Sequence, residues 1–384
     1  MQQHESARKR FFKLLTRRRN PVDGTLLMLL IMLLSAGLLV LFSATYYAAI
    51  ETGNAWDEVV KQLFGIGVGT VACIVTSRIP YRLWRQGWVV TAGLVISAIL
   101  LVLVIIPGIG VYVNGSRRWL ALAGVSFQPS ELAKYAIVLY MANVLSRIGP
   151  GIKRLWTGIA PVLIVPGIAF LLILEQPNLS TAGSIMIVSL ILIIMAGAKW
   201  RHILLMLAGG VCVGGYYAWS EPYRRRRLLS FMDPFATMSD EGYQLAQSLI
   251  AFGSGGLFGM GLGQGRQKYF YLPYPESDFI FAIVGEDFGL LGCCVVIALF
   301  AALMVCGFRI AVTCRDRFGM LLAAGITASI TVQAFLNMGV VVGILPTTGL
   351  PLPFFSAGGT SVSITMAAMG VLMNISRNAG KMDD

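Results

Sequence analysis

The chain has 384 residues, of which 57% are hydrophobic and only 12% are charged, and its mean hydropathy is +0.76. This composition excludes an ordinary soluble enzyme and indicates a polytopic helical membrane protein, because the apolar runs are long enough to cross a bilayer. The formal net charge of +12 does not indicate nucleic-acid binding, because most basic residues flank apolar segments on one predicted side of the membrane.

Ten apolar segments have about the 17 to 25 residues that cross the hydrocarbon core. They are residues 25–46, 59–79, 88–106, 129–145, 155–174, 181–198, 202–219, 279–312, 320–345 and 359–375. The eighth is too long for one perpendicular crossing, so its first two turns, 279–287, are expected to tilt, bend or lie in a cavity. The predicted fold class is an all-α polytopic membrane protein of about ten transmembrane helices, with a large extracytoplasmic loop between helices 7 and 8.

Lysine and arginine residues predict the orientation of these segments. Seven lie in the N-terminal tail between Arg8 and Arg19, whereas the short loops of the opposite side carry only Arg117 and Arg118. This asymmetry predicts that both termini are cytoplasmic and that the long 220–278 loop is outside, since long loops are exempt from the rule. The predicted domains are a basic cytoplasmic tail (1–23), one membrane domain (24–378) and a C-terminal cytoplasmic tail (379–384).

Three predicted outer segments, 107–128, 220–278 and 346–358, are rich in glycine, proline or charge. Irregular backbone close to a membrane survives only where it lines a cavity or packs against protein. The three segments are therefore expected to converge.

Carboxylates must supply any general base at the predicted outer face. The two histidines, His4 and His202, lie in the tail and on the cytoplasmic side, so neither serves as base or metal ligand there. Asp278 follows Pro273 and Pro275 and opens the eighth apolar segment. It either caps the helix or acts as a base. As a base, its pKa would be raised by burial and lowered by nearby arginines.

Two further acids lie inside predicted spans, where an ionisable group is costly. Glu131 and Lys134 have the i, i+3 spacing of a helical pair, so they form a structural ion pair or contact the substrate. Glu286 lies about two turns below Asp278 and is expected to be a buried partner for a cation or for backbone groups.

Basic residues complement these acids in the predicted outer segments. They are Arg117, Arg118, Arg224 to Arg227, Arg266 and Lys268. Arginine forks suit phosphate oxygens, although the Arg224 cluster could instead pair with lipid headgroups. The glycine run 253–265 is no nucleotide-binding motif and is expected to give flexibility or close backbone approach. Together these residues predict an outward-facing site for a lipid-linked phosphate or pyrophosphate.

Six stretches resemble successive signatures of the SEDS family (shape, elongation, division and sporulation). They read GSRRWLALAGVSFQPSELAK, EQPNLSTA, YRRRRLLSFMDPF, GYQLAQSLIAFGSGGLFGMGLGQGRQKYFYLP, SDFIFAIVGEDFG and LPTTGLPLPFFSAGGTS. The resemblance spans about residues 25–377 and is to the FtsW-like branch of cell division and sporulation. It implies a protein of the bacterial cytoplasmic membrane that acts in cell division, cell shape and cell-wall synthesis.

The resemblance also assigns roles to single residues. The aspartate that ends the family's LPExxTD motif falls on Asp278, and a family arginine falls on Arg118. The family's QPSExxK motif falls on Gln128, Pro129, Ser130, Glu131 and Lys134. Tyr274 and Ser277 depart from the LPExxTD pattern, and Glu276 is expected to replace the acid lost at Tyr274.

The implied activity is that of a peptidoglycan glycosyltransferase, which polymerises lipid II into glycan strands outside the membrane with undecaprenyl pyrophosphate as the leaving group. Asp278 is the implied general base. The candidate substrate-binding residues are Arg117, Arg118, Glu131, Lys134, Arg224, Arg227, Arg266, Lys268 and Glu276. No protein-built metal site is expected, and a divalent cation, Mg²⁺ or Mn²⁺, would be held mainly by substrate phosphates. The implied partners are a class B penicillin-binding protein, which crosslinks the strands, and other division proteins.

Two other functions remain open from the sequence. A flippase for the lipid-linked precursor would need polar groups that lead through the bilayer. Residues that could form such a path are Glu131, Lys134, Glu286, Gln333 and Asn337. A non-catalytic division scaffold is disfavoured, because it would not need an acid and a cation cluster at one interface.

Overall fold

The computed structural model describes residues 21–52, 56–113, 116–122, 125–220, 222–238, 242–269 and 271–378. Most of the predicted N-terminal tail and all of the 379–384 tail lie outside these ranges. The helices are α1 (Gly24–Thr52), α2 (Asp57–Arg78), α3 (Tyr81–Trp84), α4 (Gly87–Ile105), α5 (Pro129–Ile148), α6 (Ala160–Leu174), α7 (Leu179–Met195), α8 (Trp200–Ser220), α9 (Pro222–Met232), α10 (Tyr243–Gly255), α11 (Ile280–Thr313), α12 (Arg317–Val341) and α13 (Gly359–Ser376). A 3₁₀ turn (Gly149–Lys153) and a π-helical turn (Leu155–Ile159) connect α5 to α6.

The model confirms a mostly helical membrane protein. Each of the ten predicted spans overlaps one of the helices, and within the described residues seven helices are long and apolar enough to cross a membrane. These are Gly24–Tyr46, Asp57–Arg78, Gly87–Ile105, Leu155–Leu174, Ile280–Thr313, Arg317–Val341 and Gly359–Ser376. The chain is therefore a multi-pass membrane protein, and ten remains the predicted number of crossings.

A small antiparallel sheet between α4 and α5 was not predicted by the all-α interpretation. Its strands β1 (Gly110–Val113), β2 (Ser116–Leu122) and β3 (Val125–Phe127) pair in the order β1-β2-β3. The signal was present in the sequence, because Asn114-Gly115 is a hairpin dipeptide between two runs rich in β-branched, aromatic and apolar residues. The sheet fixes the direction in which the basic side chains of β2 point.

Helices α2 and α13 pack closely through small residues. A Cβ placed on Gly65 would lie 2.3 Å from the Cα of Gly359, so only glycine allows this approach. Ser363 Oγ donates to Gly65 O at 2.7 Å, and Thr76 Oγ1 donates to Ala367 O at 2.8 Å. Such contacts are usual where transmembrane backbones touch, and they hold the start of α13 in place.

Helix α11 is broken near its start, as its length predicted. Gly289 has a φ of 66° inside the helix, and the turns before it are buried in the bundle. The glycine run packs its backbone directly against this break, because a Cβ on Gly259 would lie 2.2 Å from Asp287 O. The expectation of close backbone approach by the glycine run is thus confirmed.

Candidate functional site

The three predicted outer segments converge on the 346–358 loop between α12 and α13. Arg227 of α9 donates from Nε to Thr347 Oγ1 at 3.0 Å. Ala357 N donates to Glu276 O at 2.8 Å, and Gly349 lies against both Asp278 and Arg118. The predicted convergence is confirmed, and the 346–358 loop is its centre.

Asp278 lies just before α11 but does not cap it. Phe279 is the N-cap residue, and no side-chain capping hydrogen bond is present at this position among the described residues. The Asp278 carboxylate instead accepts a hydrogen bond from Ser277 Oγ at 3.0 Å. Its N-cap interpretation is therefore not supported, which leaves the carboxylate available for chemistry.

The surroundings of Asp278 change its proton affinity. Burial raises the pKa of its carboxyl group above the ordinary value. The Ser277 hydrogen bond and the positive charges of Arg118 and Arg227 lower that pKa and offset part of the rise. A carboxylate that is partly desolvated yet kept ionisable by two arginines has the properties of a general base.

Arg117 and Arg118 are neighbours on β2 with different surroundings. The β1–β2 register shifts here, since Tyr112 pairs with Arg117 and Val111 pairs with Trp119, and such an irregularity re-aims a side chain. Arg118 Nε donates to Gln176 O at 3.2 Å, and its Nη2 donates to Pro177 O. Arg117 instead places its guanidinium 5.6 Å from the centroid of the Tyr112 ring. Only Arg118 is directed toward Asp278.

Gly349 lies against both the Asp278 carboxylate and the Arg118 guanidinium. A Cβ at this position would lie 3.1 Å from Asp278 Oδ2 and 3.4 Å from Arg118 Nη1. The carboxylate and the guanidinium therefore flank the same small volume. A side chain at residue 349 would press on both groups.

Two arginines of the predicted 224–227 cluster, Arg225 and Arg227, lie in different environments. Arg227 is half-buried and faces Thr347, whereas Arg225 is exposed and lies over the Trp219 ring at 5.8 Å. The side chain of Arg224 lies outside the described part of the structure, so its predicted substrate contact stays a prediction. Arg227 thus joins the site through the 346–358 loop.

Glu276 lies next to this site and is half-buried. Burial raises the pKa of its carboxyl group, and the negative charges of Glu58 and Asp278 raise it further. Tyr274, which stands where the family motif carries glutamate, is exposed and has a φ of 50°. The carboxyl groups of Glu276 and Asp278 therefore interact electrostatically.

Glu131 and Lys134 form the predicted ion pair inside the bundle. Their charged atoms lie 3.0 Å apart, and both side chains are buried. Lys134 Nζ also donates to Gln333 Oε1 at 2.5 Å, and Ser361 Oγ donates to Glu131 Oε2 at 3.1 Å. The predicted ion pair is confirmed, whereas the predicted substrate contact stays a prediction and would require this network to open.

Lys268 is buried, whereas its predicted role in substrate binding requires an accessible side chain. Its side chain is buried, and Nζ lies 2.9 Å from Asp287 Oδ1 and 2.9 Å from Ser43 Oγ. Ser43 also donates to the Asp287 carboxylate. Because its charge is paired with Asp287 in the interior, Lys268 would have to leave this pair to contact a substrate, and its substrate role stays a prediction.

Arg266 and Glu286 belong to the same buried cluster through the backbone. The amide N of Arg266 donates to Glu286 Oε1 at 2.6 Å, and that of Gln267 donates at 3.0 Å. The prediction that Glu286 is a buried partner of backbone groups is confirmed. The Arg266 side chain is exposed, so its substrate role stays a prediction.

A metal ion would find few protein ligands beside Asp278. Among the described residues, no group of three or more histidine, cysteine, aspartate or glutamate side chains could hold an ion. Asp278 and Glu276 alone are too few ligands for Mg²⁺ or Mn²⁺ without oxygens from a substrate.

The family model of the FtsW/RodA/SpoVE cell cycle proteins matches residues 24–381. The chain belongs to this family. It is 39% identical to stage V sporulation protein E of Bacillus subtilis (strain 168) over 367 residues, which cover 94% of this chain and 99% of the relative. It is also 39% identical to the probable peptidoglycan glycosyltransferase FtsW of Geobacter metallireducens over 368 residues, which cover 95% and 97% of the two chains.

Solved structures give the same family relationship in three dimensions. A chain from the work described as "Structural coordination of polymerization and crosslinking by a peptidoglycan synthase complex" is similar with a TM-score of 0.78 and 26% identity, over 93% of this chain and 98% of that one. The rod shape determining protein RodA of Thermus thermophilus is similar with a TM-score of 0.68 and 25% identity, over 94% and 98%. The fold of this chain is thus the fold of the family.

Proposed function

We propose that this chain is a peptidoglycan glycosyltransferase that polymerises lipid II at the outer face of the cytoplasmic membrane, with Asp278 as the general base. The observation that carries the proposal is the half-buried Asp278 carboxylate, which shares the space beside Gly349 with Arg118. The relatives named as probable peptidoglycan glycosyltransferases support it over nearly the whole chain. Its place among cell cycle proteins supports a role in division or sporulation.

The proposed step is a glycosyl transfer with inversion at the anomeric carbon. The acceptor hydroxyl attacks that carbon while Asp278 removes its proton, and the bond to undecaprenyl pyrophosphate breaks. Positioned proton removal of this kind contributes on the order of 10² to 10⁴ in rate. The raised pKa of Asp278 increases its basicity at the pH where it is still ionised.

Arg118 and Arg227 are proposed to stabilise the leaving pyrophosphate. Arg118 lies with Asp278 beside Gly349, and Arg227 bonds to Thr347 of the same loop. Their positive charges also lower the pKa of Asp278. Arginine suits phosphate oxygens because its planar fork donates two parallel hydrogen bonds. Arg117, Arg224, Arg266 and Glu276 are proposed to bind other parts of the substrate.

The direct test uses the purified full-length chain with fluorescent lipid II. Polymer formation is measured on gels, and movement of the lipid across vesicle membranes is measured separately. We expect glycan strands from the wild-type chain. Transbilayer movement without strands would contradict the proposal and favour a flippase, and neither activity would favour a scaffold.

A class B penicillin-binding protein is the proposed partner that crosslinks the strands. One similar chain comes from a peptidoglycan synthase complex in which polymerisation and crosslinking are coordinated. Co-purification of this chain with such a partner from the same cell is the expected result. Failure to co-purify under conditions that preserve other division complexes would contradict it.

Both termini are proposed to be cytoplasmic. Ser254 lies in the predicted outer loop and is exposed. In an otherwise cysteine-free variant, Ser254→Cys should react with an impermeant maleimide added to intact spheroplasts. Labelling only after membrane disruption would reverse the proposed orientation.

A further inference from the structure

Two buried amide side chains of α12, Gln333 and Asn337, face the 346–358 loop. Asn337 Nδ2 donates to Asp278 O at 2.7 Å and to Leu350 O at 2.6 Å. Gln333, one helical turn earlier, donates from Nε2 to Pro351 O at 2.9 Å. The 346–358 loop and the residue that carries the reactive carboxylate are thus tied to the same helix.

The support behind these amides is rigid. Gln333 and Asn337 are almost fully buried, and α12 is the most deeply enclosed of the candidate spans. Gln333 Oε1 accepts from Lys134 Nζ, which in turn holds Glu131. Gln333 is therefore fixed on both sides of its carboxamide group.

Asn337 carries a cost that packing alone does not explain. Its two amide hydrogens serve two different segments, but its Oδ1 is a buried acceptor without a partner among the described residues. An unmade hydrogen bond of this kind costs about 1 to 3 kcal/mol. The value of Asn337 must therefore lie in its two N–H donors. Both donate to main-chain carbonyls at the site, those of Asp278 and Leu350.

We propose that Asn337 and Gln333 are positioning residues that hold the Asp278 peptide in register with the 346–358 loop. The proposal rests on the proposed function and deepens it. Asn337 fixes the distance between Asp278 and Leu350, and Leu350 follows Gly349, which lies against both Asp278 and Arg118. Gln333 fixes the next residue of the loop and links it to the Glu131–Lys134 pair. That pair then acts on the site through α12 and not on the substrate.

The expected consequence is a loss of rate with little loss of binding. A misplacement of about 1 Å in a catalytic group can cost on the order of 10² in rate. In the loops, the Asn337 and Gln333 side chains donate to uncharged backbone carbonyls. Removing these donors should therefore shift Asp278 without removing a charge that holds the substrate.

The test compares three variants of the purified full-length chain with fluorescent lipid II. Asn337→Leu keeps the size of the side chain and removes both donors. Gln333→Glu keeps the acceptor for Lys134 and removes the donor to Pro351. Thr331→Val is the matched control, because Thr331 is buried on the same helix and its hydroxyl bonds only to Thr327 O within that helix.

We expect kcat of Asn337→Leu to fall about 10-fold to 100-fold while KM changes by less than about threefold. Gln333→Glu should show the same split to a smaller extent, and Thr331→Val should match the wild type. A normal kcat per folded molecule in both amide variants, with only a lower thermal stability, would show a structural role and overturn the proposal. If Asn337→Leu does not fold, Gln333→Glu decides by the same split. Absence of polymer from the wild-type chain would refute the proposed function instead.

Discussion

Two carboxylates lie on either side of the start of α11, and their surroundings are opposite. Asp287 is fully buried, and Lys268 and Ser43 bond its oxygens. Asp278 is half-buried, accepts from Ser277, and faces Arg118 across the space beside Gly349.

This difference separates a structural charge from a reactive one. A buried carboxylate whose oxygens are all engaged stabilises the fold as long as its partner remains, and it has no room for a substrate. A half-buried carboxylate, with its pKa raised by burial and moderated by nearby arginines, can accept a proton. We therefore propose two roles for the same residue type at one loop-to-helix junction.

Asp278→Asn tests the reactive side of the comparison and carries the largest expected effect. Asn keeps the shape of the side chain but cannot accept the proton, so polymerisation should fall by about 10² to 10⁴. Strand formation from lipid II measures the rate, and folded yield with partner co-purification is the control. A near wild-type rate would show that Asp278 is not the base and would make Glu276 the next candidate.

Lys268→Met tests the structural side. The change leaves the Asp287 charge buried without its cation, which should destabilise the fold by about 3 to 5 kcal/mol. Thermal unfolding and folded yield in detergent measure the loss, and the rate per folded molecule should stay near that of the wild type.

The double variant Lys268→Met with Asp287→Asn is the control for this prediction, because it removes both charges and should recover part of the stability. A stable Lys268→Met protein with defective lipid II binding would instead restore the substrate role predicted from the sequence.

Arg118→Ala and Arg117→Ala form a matched pair on one strand. Arg118 is directed toward Asp278, so its loss should lower kcat/KM by on the order of 10². Arg117 lies over Tyr112 and is proposed to bind a part of the substrate away from Asp278, so its loss should lower kcat/KM by less than the loss of Arg118. Equal effects of the two changes would contradict the division of roles between Arg118 and Arg117.

Arg227→Gln tests how a neighbouring positive charge affects the pH dependence of the reaction at Asp278. The positive charge of Arg227 lowers the pKa of Asp278, so its removal should raise that pKa further. A base works only when deprotonated, so the acid limb of the kcat/KM profile should move to higher pH. Arg225→Gln is the control, since Arg225 lies over Trp219. An unmoved or lowered acid limb would remove Arg227 from the site.

Several features could be read from the sequence because their signals are local. Apolar length predicted segments that each overlap a helix, and excess length predicted the break that the structure has at Gly289. The i, i+3 spacing predicted the Glu131–Lys134 pair. The position of Asp278, after two prolines and before an apolar run, already set it apart from the other acids.

Other features depended on contacts between distant parts of the chain. Lys268 looked like a free outer cation because Ser43 and Asp287 meet it only in the folded protein. Asn337 and Gln333 looked like polar residues of a span until their loop partners were known. Composition and spacing thus determined the membrane class, the helices and the candidate base, since hydrophobic length and charge act along the chain. Only tertiary packing decided which charges far apart in the chain neutralise one another and which remain beside Asp278, because those groups meet only in the folded protein.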